Sequence, residues 1–216
     1  AKVLFTALFV PYFRVRVGGR ANVPRKGGVL LAANHFSFVD PLILGCFMPR
    51  RLWFVMAEDQ FVKPVVHGFS RLMDVVPVKA GAAFKLAPIR KCLSLLKHGK
   101  VVAIFPEGRR SKSGNLLPAM PGLGVLASRS GAPVLPVAIV GTREAYPPGR
   151  RLPRPGRVTL YVGQPLVPPR EMPAEEIANS AMAAIAELLR SNGHADYLGA
   201  DSQILVSEED VREDEA

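Results

Sequence analysis

Only two cysteines occur in the 216 residues, Cys46 and Cys92, far apart and each in an apolar stretch. That excludes a disulfide scaffold, and both read as small buried hydrophobes of a protein in a reducing compartment. The four histidines show no paired ligand spacing, so no metal is expected. Aromatics make up 7% of the chain and do not interleave with the basic residues, which argues against nucleic acid as a partner. No run approaches the roughly 18 to 20 apolar residues of a membrane span. The nearest, Val3 to Phe13, is broken by Thr6 and Pro11 and lacks the small-residue cleavage site of a signal peptide. Residues 1–13 read either as a helix packed on the core or as an interfacial anchor. The chain begins with Ala1 rather than Met, which leaves room for a missing upstream segment.

What is abundant is apolar surface and positive charge. Hydrophobic residues are 49% of the chain, enough for one well-buried domain. The formal charge of +10 is unevenly placed. Residues 207–216 carry six acids and one arginine, a net of −5, so the other 206 residues carry +15. The stretch 201–216 reads as an acidic, disordered tail. By charge alone the basic body suits an anionic partner: a phospholipid surface, a phosphorylated substrate or nucleic acid.

Short apolar runs alternate with helix-length segments. Strands are expected at Phe13–Val17 (a half-exposed edge), Val29–Ala33, Arg51–Met56, Val75–Val78, Val101–Phe105, Val134–Val140 and Val158–Val162. Helices are expected near 41–48, 58–72, 82–97, 121–130 and 174–191, with Pro64 and Pro88 favouring kinks or later starts. The alternation predicts an α/β domain over residues 1–200, with a mostly parallel (mixed) sheet flanked by helices. Segment 142–157, with five arginines around Tyr146, reads as a loop: a solvated connection or a contact with a phospholipid surface.

Two constellations carry chemistry. Asn34-His35-Phe36-Ser37-Phe38-Val39-Asp40 follows the buried run VLLAA directly. Ligands of open α/β sheets bind beyond the carboxyl ends of strands. A histidine there is a natural base, and a carboxylate can fix its tautomer. Residues five apart on one helix lie about 140° off each other's face. His35 and Asp40 therefore pair only if His35 precedes the helix and the chain turns back, with Ser37 as N-cap. The alternative is an ordinary strand-end histidine, with Asp40 as N-cap before Pro41.

The second constellation, Phe105-Pro106-Glu107-Gly108-Arg109-Arg110-Ser111, ends another strand. Gly108 allows close backbone approach, the arginines suit a phosphate, and Glu107 suits a substrate hydroxyl or an arginine. Alone it equally fits a surface turn with solvated charges. Together the two constellations imply a reactive hydroxyl near a phosphate.

On these motifs the chain resembles the glycerophospholipid acyltransferase family, in its 1-acylglycerol-3-phosphate acyltransferase (PlsC-like) branch. Asn34, His35 and Asp40 match the family's Asn-His-x4-Asp motif. Phe105, Pro106, Glu107, Gly108, Arg110 and Ser111 match Phe-Pro-Glu-Gly-x-Arg-Ser, and Val134–Ile139 matches an apolar strand with a central proline, Pro136. The second family motif departs: Lys79 stands where an arginine is usual, and Met120-Pro121 replaces a lysine-rich stretch before Gly122.

The resemblance implies transfer of a fatty acyl group from acyl-CoA or acyl-carrier-protein to a lysophospholipid hydroxyl, without a cofactor. His35 and Asp40 would be catalytic. Glu107, Gly108 and Arg110 would bind substrate, with Arg109, Lys79 and Ser111 beside them. Asn34 and Pro136 would support the site or line the acyl path. The implied partners are the two substrates, an anionic membrane surface and an acyl carrier protein. The implied place is the cytoplasmic face of the membrane, as a peripheral or monotopic protein. The alternatives are another acceptor, such as lysophosphatidylethanolamine, and a non-enzymatic basic membrane-binding module.

Overall fold

Val29 to Ala33 show why the sheet is covered on both faces. Leu30 and Ala32 point into one apolar cluster; Val29, Leu31 and Ala33 point into another. Alternate side chains leave a strand on opposite sides, so a run apolar at every position needs a layer on each. In the computed structural model, which describes residues 11–58, 74–78, 86–147, 149–150 and 152–199, those layers are present.

The strands are β1 (Arg16–Gly18), β2 (Val29–Ala33), β3 (Leu52–Ala57), β4 (Asp74–Val78), β5 (Val101–Ile104), β6 (Val134–Val140) and β7 (Thr159–Val162). They form one sheet in the order β1-β7-β6-β2-β5-β3-β4. Neighbours from β6 to β4 are parallel, β7 is antiparallel to β6, and β1 is parallel to β7. The expected mostly parallel, mixed sheet flanked by helices is borne out. One strand boundary is corrected: Phe13 is the last residue of a helical turn and is fully buried, and pairing with β7 starts only at Arg16. The alternating pattern of 13–17 fitted a strand, but the core claims Phe13 before the sheet begins.

The main helices are α1 (Asp40–Phe47), α2 (Leu86–Lys97), α3 (Gly122–Ser130), α4 (Thr142–Ala145) and α5 (Ala174–Ser191). α1 packs one face through Ile43 and Leu44. α2, α3 and α5 pack the other, through Ile89, Leu126, Met182 and Ile185 among others. The stripe Ile177, Ala181, Met182, Ile185, Leu189 has the spacing of one helical face, and Glu175, Glu176 and Arg190 complement the α5 dipole. α4 is a second correction, since the arginine-rich segment 142–157 opens with this helical turn rather than as loop throughout. The expected helix at 58–72, all but Glu58, and the tail after 200 lie outside the described residues, as do residues 1–10. No described helix is long and apolar enough to cross a membrane.

The connections locate the crevice. From β2 the chain passes through α1 on one face to β3; from β5 it passes through α3 on the opposite face to β6. β2 and β5 are neighbours whose connections diverge, which is the topological switch point where an open sheet leaves a cleft at its carboxyl edge. Both sequence constellations leave from these two strands.

Candidate active site

Asn34 marks where β2 leaves the sheet. Its side chain accepts from the Ile139 amide (2.7 Å) and donates to the Ile139 carbonyl (2.9 Å). A fully buried carboxamide thus stands in for the next rung of the β2–β6 ladder, and the backbone is freed to turn outward at His35. Pro136 sits in the buried run of β6, its carbonyl accepting from Gly163 just past the end of β7. Its missing amide costs the sheet little because it falls where that ladder stops.

His35 then precedes α1, and the chain does turn back. His35 Nδ1 lies 2.9 Å from Asp40 Oδ2. The same oxygen accepts from the amides of Phe36 (2.8 Å) and Ser37 (2.7 Å), so the loop wraps its own carboxylate. Asp40 is fully buried, and its Oδ1 has no hydrogen-bond partner among the described residues. A carboxylate against Nδ1 requires the proton there, which leaves the lone pair on Nε2. The His35 side chain keeps 17% exposure, so the ring is reachable while its partner is not. Ser37 does not cap α1; its hydroxyl donates to the Tyr146 carbonyl (3.0 Å), and its amide serves Asp40 instead.

The second constellation closes on the first. Phe105 stacks on the His35 ring, centroids 4.0 Å apart and planes 17° apart. The His35 amide donates to Glu107 Oε1 (2.8 Å), the Leu117 amide to Glu107 Oε2 (3.2 Å), and the Ser111 amide to the His35 carbonyl (2.9 Å). Glu107 is buried, with both oxygens on backbone amides. Burial pushes its carboxyl up to about 8, against the two amides and Arg109, which pull it down. Ser111 is likewise buried, its hydroxyl accepting from the Gly114 amide (3.0 Å).

The exposed members are Gly108 and Arg109, with Arg110 half-buried. Gly108 has φ +69°, and a Cβ there would strike the Met120 side chain. The Arg110 guanidinium lies 3.4 Å from the centroid of the Phe38 ring, a cation–π seat that aims it along the His35 loop. Burial lowers its pKa, with Asp40 and Tyr146 pulling the other way. Lys79 lies outside the described residues.

Residues 14–140 match the acyltransferase family. The chain belongs to that family. Among relatives of this chain is the chloroplast 1-acyl-sn-glycerol-3-phosphate acyltransferase of Arabidopsis thaliana, 28% identical over 87% of this chain and 52% of its own length. Another, from Bacillus subtilis and of the same name, is 28% identical over 70% of this chain and 73% of its own. The crystal structure of the 1-acyl-sn-glycerophosphate acyltransferase PlsC from Thermotoga maritima superposes with a TM-score of 0.74 at 27% identity, covering 88% of this chain and 78% of that one. The chain spans about half the length of the plant relatives it matches.

One part of the candidate site carried no signal in the sequence. Tyr197, buried in a 3-10 turn after α5, stacks on Phe36 (5.2 Å, 23°). Its hydroxyl donates to Glu144 Oε1 (3.0 Å) and accepts from the Gly141 amide (3.4 Å), and its carbonyl accepts from the Leu116 amide (2.8 Å). A single residue thereby braces the loops after β2, β5 and β6. A lone tyrosine in the polar stretch 192–199 has no motif to announce it.

Proposed function

We propose that this acyltransferase moves a fatty acyl group from acyl-CoA or acyl-carrier-protein to the sn-2 hydroxyl of 1-acylglycerol-3-phosphate, giving phosphatidic acid. The observation that carries the reading is the 2.9 Å pairing of a reachable His35 with a buried Asp40, beside the arginines of the 105–111 loop at the switch point. The plant and bacterial relatives of that name support it.

His35 Nε2 takes the proton of the acceptor hydroxyl, and Asp40 holds the ring and stabilises the imidazolium. The oxygen attacks the thioester carbonyl carbon, the C–S bond breaks, and the proton on His35 passes to the departing thiolate sulfur. Arg110 binds the glycerophosphate, with Arg109 and Lys79 as further phosphate contacts and Gly108 giving backbone access. Glu107 and Ser111 act on the loops: Glu107 sets the His35 backbone, and Ser111 holds the turn that follows. The reaction needs no cofactor. The basic body works at the cytoplasmic face of an anionic membrane as a peripheral or monotopic protein, with an acyl carrier protein as a candidate donor partner.

The test offers the purified chain lysophosphatidate with each thioester in parallel, and lysophosphatidylethanolamine as rival acceptor. Turnover with lysophosphatidate is expected, falling about 10²- to 10⁴-fold in His35→Ala. Undiminished turnover in that variant, or preference for the ethanolamine lipid, would overturn the reading.

A further inference from the structure

Arg143 belongs to α4, beyond the end of β6, yet its side chain serves the loop that follows β5. Its Nη2 donates to the Lys112 carbonyl (2.9 Å). Its stem and guanidinium cross over Gly114, where a Cβ would lie 2.7 Å from Nη1 and 2.8 Å from Cδ and Cζ. Gly114 is buried with φ +90°, so both the backbone and the space at this position call for glycine. Arg143 is half-buried, and its Nε is shut away from water with no hydrogen-bond partner among the described residues. A desolvated donor left unpaired is costly, so the turn that the side chain covers, and not its own hydrogen bonding, sets its place.

That turn holds one end of the arginine pair. The Gly114 amide donates to Ser111 Oγ (3.0 Å), and the Ser111 amide donates to the His35 carbonyl (2.9 Å). On the other side of the arginines, Glu107 is fixed by the amides of His35 and Leu117. Arg109 and Arg110 therefore stand between two anchors, one made by Glu107 and the other covered by Arg143. The same end of α4 grips the His35 loop, since the Tyr146 carbonyl accepts from the Ser37 hydroxyl (3.0 Å).

We propose that Arg143 is a positioning residue, which clamps the 111–114 turn and thereby holds Arg110 where the phosphate of the acceptor binds. The inference rests on the reading of Arg110 as that phosphate's contact. The Arg110 guanidinium is seated 3.4 Å from the centroid of the Phe38 ring, and the seat is kept only while the backbone beneath Arg110 keeps its place. With Nη2 on a carbonyl and Nε buried, Arg143 supplies position to this loop rather than a phosphate contact of its own.

The test is steady-state kinetics on the full chain, with lysophosphatidate varied and the thioester saturating. Arg110→Ala is expected to raise the KM for lysophosphatidate about 10- to 100-fold, the worth of one charge-assisted hydrogen bond. Arg143→Ala should raise it about fivefold or more, with kcat little changed because Asp40 and Glu107 still hold His35. Gly114→Ala, which forces Arg143 off its seat from the other side, should raise KM as well. In Arg110→Ala/Arg143→Ala the loss should equal that of Arg110→Ala alone, since a residue acting through Arg110 has nothing left to place. Additive losses in the double variant, or an unchanged KM in Arg143→Ala, would overturn this inference while the phosphate reading of Arg110 stands. An unchanged KM in Arg110→Ala would take down both. Amide hydrogen exchange without substrate checks the clamp apart from turnover: the Ser111 and Gly114 amides should exchange faster in Arg143→Ala than in the wild type. Unaltered exchange would mean that the turn stands without Arg143, and the inference would fail whatever the acceptor proves to be.

Discussion

Asp40 concentrates three hydrogen bonds on one oxygen, from the His35 ring and from the amides of Phe36 and Ser37. Only a carboxylate can accept all three while opposing a positive ring, so the residue both shapes the loop and sets the base. Asp40→Asn is expected to keep the fold but lose about 1–3 kcal/mol, because one buried donor now lacks a good acceptor. It should also lower kcat about 10²- to 10⁴-fold by releasing the His35 tautomer. Thermal unfolding and acyl-transfer rates on the same preparation check both, and a stability loss with unchanged kcat would reduce Asp40 to a structural role.

At the scale of elements, the site is an agreement among three strand ends. Asn34 fastens the end of β2 to β6, Glu107 fastens the loop after β5 to His35, and Tyr197 reaches all three loops from beyond α5. Tyr197→Phe keeps the stack on Phe36 and loses only the contacts of the hydroxyl, an expected cost of about 1 kcal/mol with kcat nearly unchanged. Tyr197→Ala empties the space and should cost about 3–5 kcal/mol. It should also lower kcat measured well below the melting temperature, as the His35 loop loses its support. Equal losses in the two variants would place the effect in the hydroxyl rather than in the ring.

For the molecule as a whole, Glu107 links the site to global stability. Its folded pKa, about 8, stands above the ordinary 4.5 because burial disfavours the charge. Between those values the folded state holds a proton that the unfolded state has released. The contribution is thus complete below the ordinary pKa and is lost as pH rises through the folded one, with a slope of up to about 1.4 kcal/mol per pH unit. Unfolding free energies measured from pH 5 to 8 should decline in the wild type and run flatter in Glu107→Gln; parallel curves would mean that the carboxyl is ionised throughout. Much of this molecule was legible beforehand. The continuous apolar runs at Val29–Ala33, Val101–Ile104 and Val134–Val140 announce strands covered on both faces, and the 3.6-residue stripe of α5 announces its buried side. Those are local patterns, and they place His35 and Asp40 after one strand and Glu107 to Ser111 after another. Partnerships across the sheet were not legible. That β2 lies between β5 and β6, that Phe13 belongs to the core, that the Glu107 carboxylate goes to the amide of His35, and that Tyr197 supports Phe36 were all decided by tertiary packing. A buried polar atom takes whichever partner the packed layers bring within reach, and that partner is not marked in the local sequence.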